Sequence, residues 1–380
     1  PLRRVAEIEK PILGAGPCRV HARMLDGRAL AVAIDAFRPS VRKEEKRRPR
    51  EDAAKASRPR SPEHRASRPG DIPMHVKLAI ALALIGAAAP AVRAQTCANH
   101  LFVSGYFSNN VAIYDACSGA FVRQLETAGR IEGAQAVRLN PANDLIYVVS
   151  EGNDQIQRYR HDATYAFVDV FAQFAADFDP TGVAFGPGGE VYVASYGQSR
   201  VAELDPDTGL EIATPLPSDS GLRGADNGMM VSASGQLFVP GYDSSTVARV
   251  DLSTGAIDAD FVSAGANGLL ETRGIVDEGP TILVGGEGSG AIYRFNAQTG
   301  AAVGPPLITG LNRPTGMAID DDGTLLVFAG NRVRRFDRAT GAALGIVASG
   351  LDGDISGGTF VALIPNPAND TLFANGFDPG

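Results

Sequence analysis

The sequence predicts an all-β fold: a six-bladed β-propeller in which each blade is a four-stranded antiparallel sheet. The first observation is a unit of about 45 residues that recurs along the chain, and a period of this size indicates a solenoid, a propeller or an array. The second is the alternation of apolar and polar residues, typical of strands with one buried face. The third is a turn of the form Asp-x-x-Thr-Gly in most copies. The matching second strands begin at Leu101, Ile146, Val191, Leu237, Ile282 and Leu325.

Each unit divides into four strands, which we call a to d in chain order. Strand a is short and apolar, as in Gly182–Phe185, and strand b follows at once, as in the VYVAS segment from Val191. Strand c alternates apolar and polar residues, as in VAELD from Val201. Glycine after a short polar stretch supplies the left-handed residue that a tight hairpin needs, which predicts turns between a and b and between c and d.

The two ends of the repeat array predict how the ring closes. The N-terminal part supplies only strands b, c and d, beginning at Leu101, Val111 and Phe121, whereas a lone strand a remains at Thr359–Ile364. We therefore expect the C-terminal strand to join the N-terminal three strands in one blade, which removes exposed sheet edges. A seven-bladed ring that uses Leu372–Phe377 is the alternative, but no strand c or d follows that segment.

The repeat resembles that of the NHL-type six-bladed β-propellers and, more loosely, that of the gluconolactonase/regucalcin and streptogramin-lyase propellers. The motifs that carry this resemblance are PTGVAF, RPTGMAID and VYVASYGQSRVAELDPDTG, and it extends over about Leu101–Asp370. It implies the fold. It leaves the function open, because this fold supports binding proteins, hydrolases, lyases and scaffolds alike.

Charge divides the chain into two parts. Residues 1–73 carry 18 Lys and Arg against 10 Asp and Glu, whereas residues 95–380 carry 15 Arg, no Lys and 33 Asp and Glu. Such an acidic surface argues against nucleic acid and anionic lipid as partners, since both need a positive footprint. We expect a monomer whose partner is a protein, a peptide or a glycan.

A secretion signal is predicted over residues 74–94. Met74 and Lys77 precede a run of apolar residues, Leu78–Ala89, and the small residues around Ala94 suit cleavage before Gln95. The alternative is a buried apolar helix. Because a signal peptide works at the N-terminus, we interpret residues 1–73 as a mis-called start upstream of Met74 or, alternatively, as a disordered basic leader.

The predicted domain organisation follows from this signal. Residues 95–370 form the propeller, and residues 371–380 form a short C-terminal tail. The protein is expected in the periplasm or outside the cell, with no membrane span in the mature chain. The mature part keeps two cysteines, Cys97 and Cys117, and an even pair in an oxidising compartment predicts a disulfide that ties the N-terminus to the first c–d turn.

Two rings of side chains are predicted on the face that carries the b–c and d–a connections, which are longer and more varied than the turns on the other face. We call this face the mouth. The inner ring is the polar residue before each strand a: Gln135, Thr181, Asn227, Arg273 and Thr315, with Ser356 near the sixth place. The outer ring is the residue that ends strand b: Tyr106, Glu151, Tyr196, Tyr242 and Glu287. With Asn227, Arg273 and Arg313, the outer ring is the predicted ligand-binding set, although polar residues at a channel mouth and tyrosines at strand ends are also common without a ligand.

A divalent cation such as Ca²⁺ is the one cofactor that the sequence suggests. The gluconolactonase resemblance implies Glu, Asn and Asp ligands at the mouth, and hard cations take several converging oxygen atoms. The candidates are Asp179, Asp226, Asn227, Glu271 and Asp354. Arg273 and Arg313 oppose this interpretation, since they repel a cation or pair with these acids.

Histidine is scarce in the predicted mature part, where only His100 and His161 occur. Both are expected on the face opposite the mouth, so a lyase that needs a channel histidine is disfavoured. No nucleophile or phosphate-binding motif is present, and no catalytic residue is assigned. Two hypotheses follow: an exported, non-catalytic propeller that binds a peptide, glycan or protein at its mouth, or a divalent-cation-dependent hydrolase or lactonase.

Overall fold

The chain divides into two compact units, Pro1–Ala87 and Ala88–Gly380. The ranges that the computed structural model describes are Met24–Leu25, Arg28–Ala29, 97–350 and 352–368. In the first unit, strands β1 (Met24–Leu25) and β2 (Arg28–Ala29) pair in antiparallel fashion. The predicted signal peptide and C-terminal tail lie outside the described residues. Within the described residues, no helix is long and apolar enough to cross a membrane.

The second unit is a ring of six blades, as predicted. Blade 1 contains β3 (Asn99–Gly105), β4 (Asn110–Asp115) and β5 (Phe121–Gln124). Blade 2 contains β6 (Ala134–Asn140), β7 (Leu145–Ser150), β8 (Gln155–Arg160) and β9 (Phe167–Gln173). Blade 3 contains β10 (Pro180–Phe185), β11 (Val191–Ser195), β12 (Arg200–Leu204) and β13 (Glu211–Leu216). Blade 4 contains β14 (Met230–Val231), β15 (Gln236–Gly241), β16 (Thr246–Asp251) and β17 (Ala256–Val262).

The last two blades and the closing strand follow in the same order. Blade 5 contains β18 (Thr272–Asp277), β19 (Thr281–Gly286) and β20 (Ala291–Asn296). Blade 6 contains β21 (Gly316–Ile319), β22 (Leu325–Phe328), β23 (Arg332–Phe336) and β24 (Ala343–Ser349), and β25 (Gly358–Pro365) returns to blade 1. Short 3₁₀ turns lie at Glu151–Asn153, Ser218–Ser220 and Ala266–Gly268.

The hydrophobic core lies between the blades. Among the described residues, six apolar clusters lie between consecutive blades, and the one between blades 2 and 3 also includes Phe360 of β25. Strands b are buried on both faces, as in β11, whereas the outermost strands expose apolar side chains such as Ile212 and Ile346. A strand packed between two blades buries both of its faces, so it reads as a near-continuous apolar run.

The ring closes as the sequence predicts. Strand β25 pairs antiparallel with β3, with Val361 opposite Val103, and β25 therefore becomes the innermost strand of blade 1. His161 fastens the end of β25, because its Nε2 lies 2.8 Å from the Pro365 carbonyl oxygen and its Nδ1 lies 2.8 Å from Asp144 Oδ1. The predicted disulfide between Cys97 and Cys117 is also present.

Blade 5 differs from the prediction, because its outer strand is reduced to isolated bridges. Phe295 pairs with Ala302 and Ile292 pairs with Ile308, but no continuous fourth strand forms. The intervening residues include Pro305 and Pro306. Proline has no N–H group to donate, so consecutive prolines interrupt a ladder of backbone hydrogen bonds.

The Asp-x-x-Thr-Gly turn has one geometry around the ring. In blade 3, Asp205 Oδ1 accepts hydrogen bonds from the backbone N–H and the hydroxyl of Thr208, both at 2.8 Å. Gly209 follows with φ +70, and a Cβ there would lie 2.0 Å from the Phe171 carbonyl oxygen of blade 2. In blade 3 this turn requires glycine, because the neighbouring blade leaves no room for a side chain at Gly209. In blade 2, whose copy reads HDATYA, Tyr165 takes the left-handed position instead.

The centre of the ring is crossed by side chains. Asn227 of blade 4 donates through Nδ2 to Gln135 Oε1 of blade 2 at 2.8 Å and to the Thr359 carbonyl oxygen of blade 1 at 3.1 Å. The partly buried Arg138 of blade 2 donates to the Met229 carbonyl oxygen of blade 4 at 2.9 Å. The mouth therefore has a floor of protein atoms.

Candidate functional site

A ring of left-handed residues surrounds the mouth, one in each d–a connection. Each lies shortly before a strand a and has a φ between 47° and 65°. The six residues are Gly133, Asp179, Gly224, Glu271, Arg313 and Gly357. Glycine takes this conformation without strain, whereas other residues do so at a cost of about 1 kcal/mol or more. Three blades thus place a charged residue where the other three have glycine.

The backbone around these residues is held by a repeated set of hydrogen bonds. The backbone N–H of each outer-ring residue donates to a left-handed residue, as Glu151 does to the Gly133 carbonyl oxygen at 3.1 Å and Glu287 to the Glu271 carbonyl oxygen at 2.9 Å. A side chain of the preceding b–c turn then accepts from the left-handed residue itself, as Ser245 Oγ does from the Glu271 N–H at 3.0 Å. The mouth therefore has a uniform, well-bonded backbone on which the side chains vary.

The inner ring is buried, and its threonines bind the neighbouring inner strand. Thr181 Oγ1 donates to the Ala225 carbonyl oxygen at 2.8 Å, and Thr315 Oγ1 donates to the Gly358 carbonyl oxygen at 2.8 Å. The sixth member is Thr359, whose hydroxyl donates to the Ala134 carbonyl oxygen at 2.7 Å. Ser356 is exposed one residue outside the left-handed Gly357, so the position predicted near it belongs to Thr359.

Arg273 holds the centre of one side of the mouth. Its Nη1 donates to Glu287 Oε2 at 2.6 Å, and its Nε lies 3.1 Å from Asp226 Oδ2, although that ion pair lacks hydrogen-bond geometry. Burial alone would lower the pKa of Arg273, but Asp226 and Glu287 raise it. Burial raises the pKa of Asp226, and Arg273 opposes that shift. Arg313, half-exposed, pairs with the other oxygen of Glu287.

Glu151 occupies the other side without such a partner. Its Oε2 accepts from Gln135 Nε2 at 2.5 Å, and its Oε1 accepts from the Tyr106 hydroxyl at 3.4 Å. Burial raises the pKa of Glu151 to about 7, the Gln135 hydrogen bond opposes this rise, and the negative charge of Asp226 adds to it. Burial and the Glu151 charge raise the pKa of Tyr106 to about 12.

Two further tyrosines of the outer ring donate to carboxylates of the next blade. The Tyr196 hydroxyl donates to Asp243 Oδ1 at 2.9 Å, and the Tyr242 hydroxyl donates to Glu271 Oε2 at 3.0 Å. Burial raises the pKa of both phenols, so they stay protonated donors at neutral pH. Asp243 was not among the sequence candidates, but its place directly after an outer-ring residue could have indicated it.

Phe107 is a second residue that the sequence candidates missed. It directly follows the outer-ring Tyr106, is 52% exposed, and stands edge-on to the Tyr106 ring with 5.3 Å between the centroids. An exposed aromatic residue at the rim supplies flat apolar contact area for a ligand. The signal that could have revealed it is the same position after strand b that Asp243 occupies in blade 4.

The residues proposed as metal ligands are distributed over the mouth. Asp226 pairs with Arg273, Glu271 accepts from Tyr242, and Asp354 lies in the connection between blade 6 and blade 1. In the described part of the chain, one group of three Asp, Glu, His or Cys side chains has its ligand atoms within 4.8 Å of one another: Cys97, Asp115 and Cys117. Its two thiols form the disulfide, so that group does not offer a free thiolate pair.

The opposite face carries both histidines, as predicted, and a separate surface groove. His161 contacts the a–b turn of blade 2 through Asp144, and His100 Nδ1 lies 2.7 Å from the Tyr165 hydroxyl. A groove of about 620 Å³ lies between the turns of blades 4 and 5, lined by residues such as Ser232 and Asp277. None of the candidate side chains lines it, and the turns around it follow the common repeat, so we place the candidate site at the mouth.

Comparisons with known proteins support the fold. No family model matches the chain, and no curated protein sequence matches it. Among solved structures, a chain of the nidogen–laminin complex superposes with a TM-score of 0.58 at 12% identity, covering 70% of this chain and 98% of that one. A gluconolactonase from Xanthomonas campestris superposes with a TM-score of 0.50 at 14% identity, covering 71% and 93%. A catalytically inactive virginiamycin B lyase from Staphylococcus aureus, with quinupristin, gives 0.50 at 11%, covering 72% and 94%. At such identities the likeness establishes the six-bladed propeller class and not the activity.

Proposed function

We propose that this protein is an exported, non-catalytic β-propeller that binds a peptide, glycan or protein ligand at its mouth. The observation that carries the proposal is the contrast between backbone and side chains there. The left-handed ring has one geometry in all six blades, yet three blades use Asp179, Glu271 and Arg313 in place of glycine. Strained residues cluster where a function requires their side chains.

The chemistry of the mouth suits recognition. Tyrosines donate hydrogen bonds from rigid rings, and Phe107 and Leu270 expose apolar surface at the rim, 52% and 50% exposed respectively. Rigid aromatic anchors beside charged groups are the usual composition of a binding surface. Export is supported by the disulfide between Cys97 and Cys117, since disulfides persist in oxidising compartments.

The experiment is a binding screen followed by variants of the two faces. The full chain is screened against a displayed random-peptide library and an array of immobilised glycans. Tyr196→Ala and Arg313→Ala, which alter the mouth, are expected to weaken binding of the selected ligand at least tenfold. Asp207→Ala and Arg160→Ala, exposed on the opposite face, serve as controls.

Three results would contradict the proposal. The first is binding that survives both mouth variants. The second is binding that the control variants remove. The third is turnover of a lactone that depends on an added divalent cation, which would instead support the hydrolase hypothesis.

A further inference from the structure

The mouth obeys a pairing rule between neighbouring blades. In four of the five blades that have an outer-ring residue at the end of strand b, that residue meets the left-handed residue of the next blade, and the two are complementary. Tyr242 donates to Glu271, and Glu287 pairs with Arg313.

The other two tyrosines of the outer ring, Tyr106 and Tyr196, each meet a glycine at the left-handed position of the next blade. A Cβ on Gly133 would lie 3.0 Å from the Tyr106 ring, and one on Gly224 would lie 2.9 Å from the Tyr196 ring. The glycine leaves space for the ring, and the hydroxyl then reaches Glu151 or Asp243 beyond it.

One pair breaks the rule. In blades 2 and 3 the corresponding residues are Glu151 and Asp179, two carboxylates. Repulsion from Asp179 contributes to the raised pKa of Glu151, after burial and the charge of Asp226. Among the described residues, no hydrogen-bond donor or cation is bonded to the Asp179 side chain, whose Oδ2 would lie 2.8 Å from a Cβ on Gly197.

The cations of the mouth do not compensate this pair. Arg273 is held by Asp226 and Glu287, and Arg313 by Glu287. Arg273 lowers the pKa of Glu151 through space, but burial and the acidic neighbours outweigh it. The mouth thus has one side with bonded charges and one side with two carboxylates that lack a cation.

A buried acceptor in the same network also lacks a donor. Asn227 is fully buried and donates to Gln135, which donates to Glu151, but Asn227 Oδ1 has no hydrogen-bond partner in the described structure. An unsatisfied buried polar atom in a native protein often marks a water or a ligand. Carboxylate and amide oxygens are all acceptors, so the group that completes this side is a donor.

An aromatic wall stands beside these acceptors. The Tyr106 hydroxyl contacts Glu151, and the exposed Phe107 ring adjoins the Tyr106 ring. Organic cations bind aromatic faces as well as carboxylates, whereas Ca²⁺ takes oxygen ligands alone and gains nothing from an aromatic wall.

We propose that the mouth holds its ligand by a cationic group, an ammonium or guanidinium of a peptide or amine, between Glu151 and Asp179. This rests on the proposed function and names the chemistry that its ligand carries. The ligand cation takes the place that Arg313 fills beside Glu287.

The direct test measures binding of a trilysine peptide to the full chain, with a neutral trinorleucine peptide for comparison. Asp179→Asn and Glu151→Gln are each expected to weaken trilysine binding about tenfold, since charge-assisted contacts in partly buried sites contribute this much. Asp177→Asn is the matched control, because it removes the same charge two residues from Asp179, at an exposed position. Equal losses in the control and in Asp179→Asn would reduce the effect to general attraction by an acidic protein and overturn the proposal.

A second variant introduces at position 179 the arginine that blade 6 has at the equivalent left-handed position. Asp179→Arg gives Glu151 the partner that Arg313 gives Glu287, so it is expected to fold at least as stably as the wild type and to bind no trilysine. A third measurement follows trilysine binding by the wild-type protein at different pH values, so it does not depend on whether a variant folds correctly. Protons compete with the ligand cation at Glu151, so trilysine binding should weaken about tenfold from pH 8 to pH 5.5 and lose that dependence in Glu151→Gln.

The outcomes separate this inference from the function on which it rests. If the ligand from the screen depends on Tyr196 and Arg313 but trilysine binding ignores Asp179 and Glu151, the mouth binds ligands and the cation site is wrong. A rise in melting temperature with Ca²⁺, lost in Asp179→Asn and absent with trilysine, assigns the pair to a metal and also overturns the proposal.

Discussion

The two faces of the propeller use their side chains in opposite ways. On the face of the c–d turns, the Asp or Asn side chain bonds within its own turn, as Asp205 does with Thr208 and Asp337 with Thr340, and the pattern repeats around the ring. At the mouth, the side chains cross between blades, and their identity changes from one blade to the next, as from Tyr242 to Glu287. Uniform turns serve the fold, and variable positions on a uniform backbone are free to serve a ligand.

The largest expected effect comes from Arg273, because it lies at the mouth but is buried and is therefore expected to stabilise the fold. Arg273→Met leaves the buried Asp226 without a cation and leaves Glu287 with Arg313 alone, and breaking a buried ion pair costs about 3–5 kcal/mol. We expect that loss in the free energy of urea unfolding. A loss below about 1 kcal/mol would show that the floor of the mouth contributes little to stability.

Glu151 gives the second effect, which depends on pH. Its pKa is about 7 in the folded protein against 4.5 as the ordinary value, so the folded state binds the proton more tightly. Stability is therefore highest below about pH 4.5 for this group and falls as the pH rises through 7. A shift of this size corresponds to about 3 kcal/mol. Because Gln does not titrate, Glu151→Gln should remove this slope from urea-unfolding curves between pH 5 and pH 8, while Asp177→Asn should retain it.

The fold could be predicted from the sequence because every level of the repeat agrees with it. The period, the alternation and the turn glycines each predict the same four-stranded unit, and the unpaired strand at Thr359–Ile364 predicts the closure. The outer strand of blade 5 escaped prediction, since its apolar residues fit a strand while Pro305 and Pro306 remove the donors that would pair it.

The site could be predicted only in part. Alignment of the copies places Glu151, Arg273 and Arg313 at the mouth, but the network depends on which side chains meet across blades. Asn227 bonds to residues 92 and 132 positions away, and no spacing in the sequence indicates such contacts. Glu287 differs most from its prediction as a ligand-binding residue, because both of its carboxylate oxygens pair with arginines of the protein.

The uniform face predicts a third, smaller effect that separates packing from backbone strain. Gly209→Ala adds a Cβ against the Phe171 carbonyl oxygen, whereas Gly255→Ala, in the same turn of blade 4, points into open space. Both glycines have positive φ, +70 and +72, so both variants carry the left-handed cost of about 1–2 kcal/mol. The difference between them, expected at about 2 kcal/mol, is the contact with the neighbouring blade. Equal melting temperatures for the two variants would mean that the blades do not need this close approach.

The smallest expected effect on stability gives the sharpest test of the mouth. Asp179→Gly restores the residue that three other blades have at this left-handed position. Relief of the strained backbone offsets the added freedom of glycine in the unfolded chain, so the free energy of unfolding should change by less than about 0.5 kcal/mol. The reverse change in blade 2, Gly133→Asp, places a Cβ 3.0 Å from the Tyr106 ring and should cost about 1–2 kcal/mol. If Asp179→Gly leaves stability unchanged and removes ligand binding, the Asp179 side chain serves the ligand. If it instead lowers stability by more than about 1 kcal/mol, Asp179 belongs to the scaffold, and the division between a uniform backbone and free side chains fails at this blade.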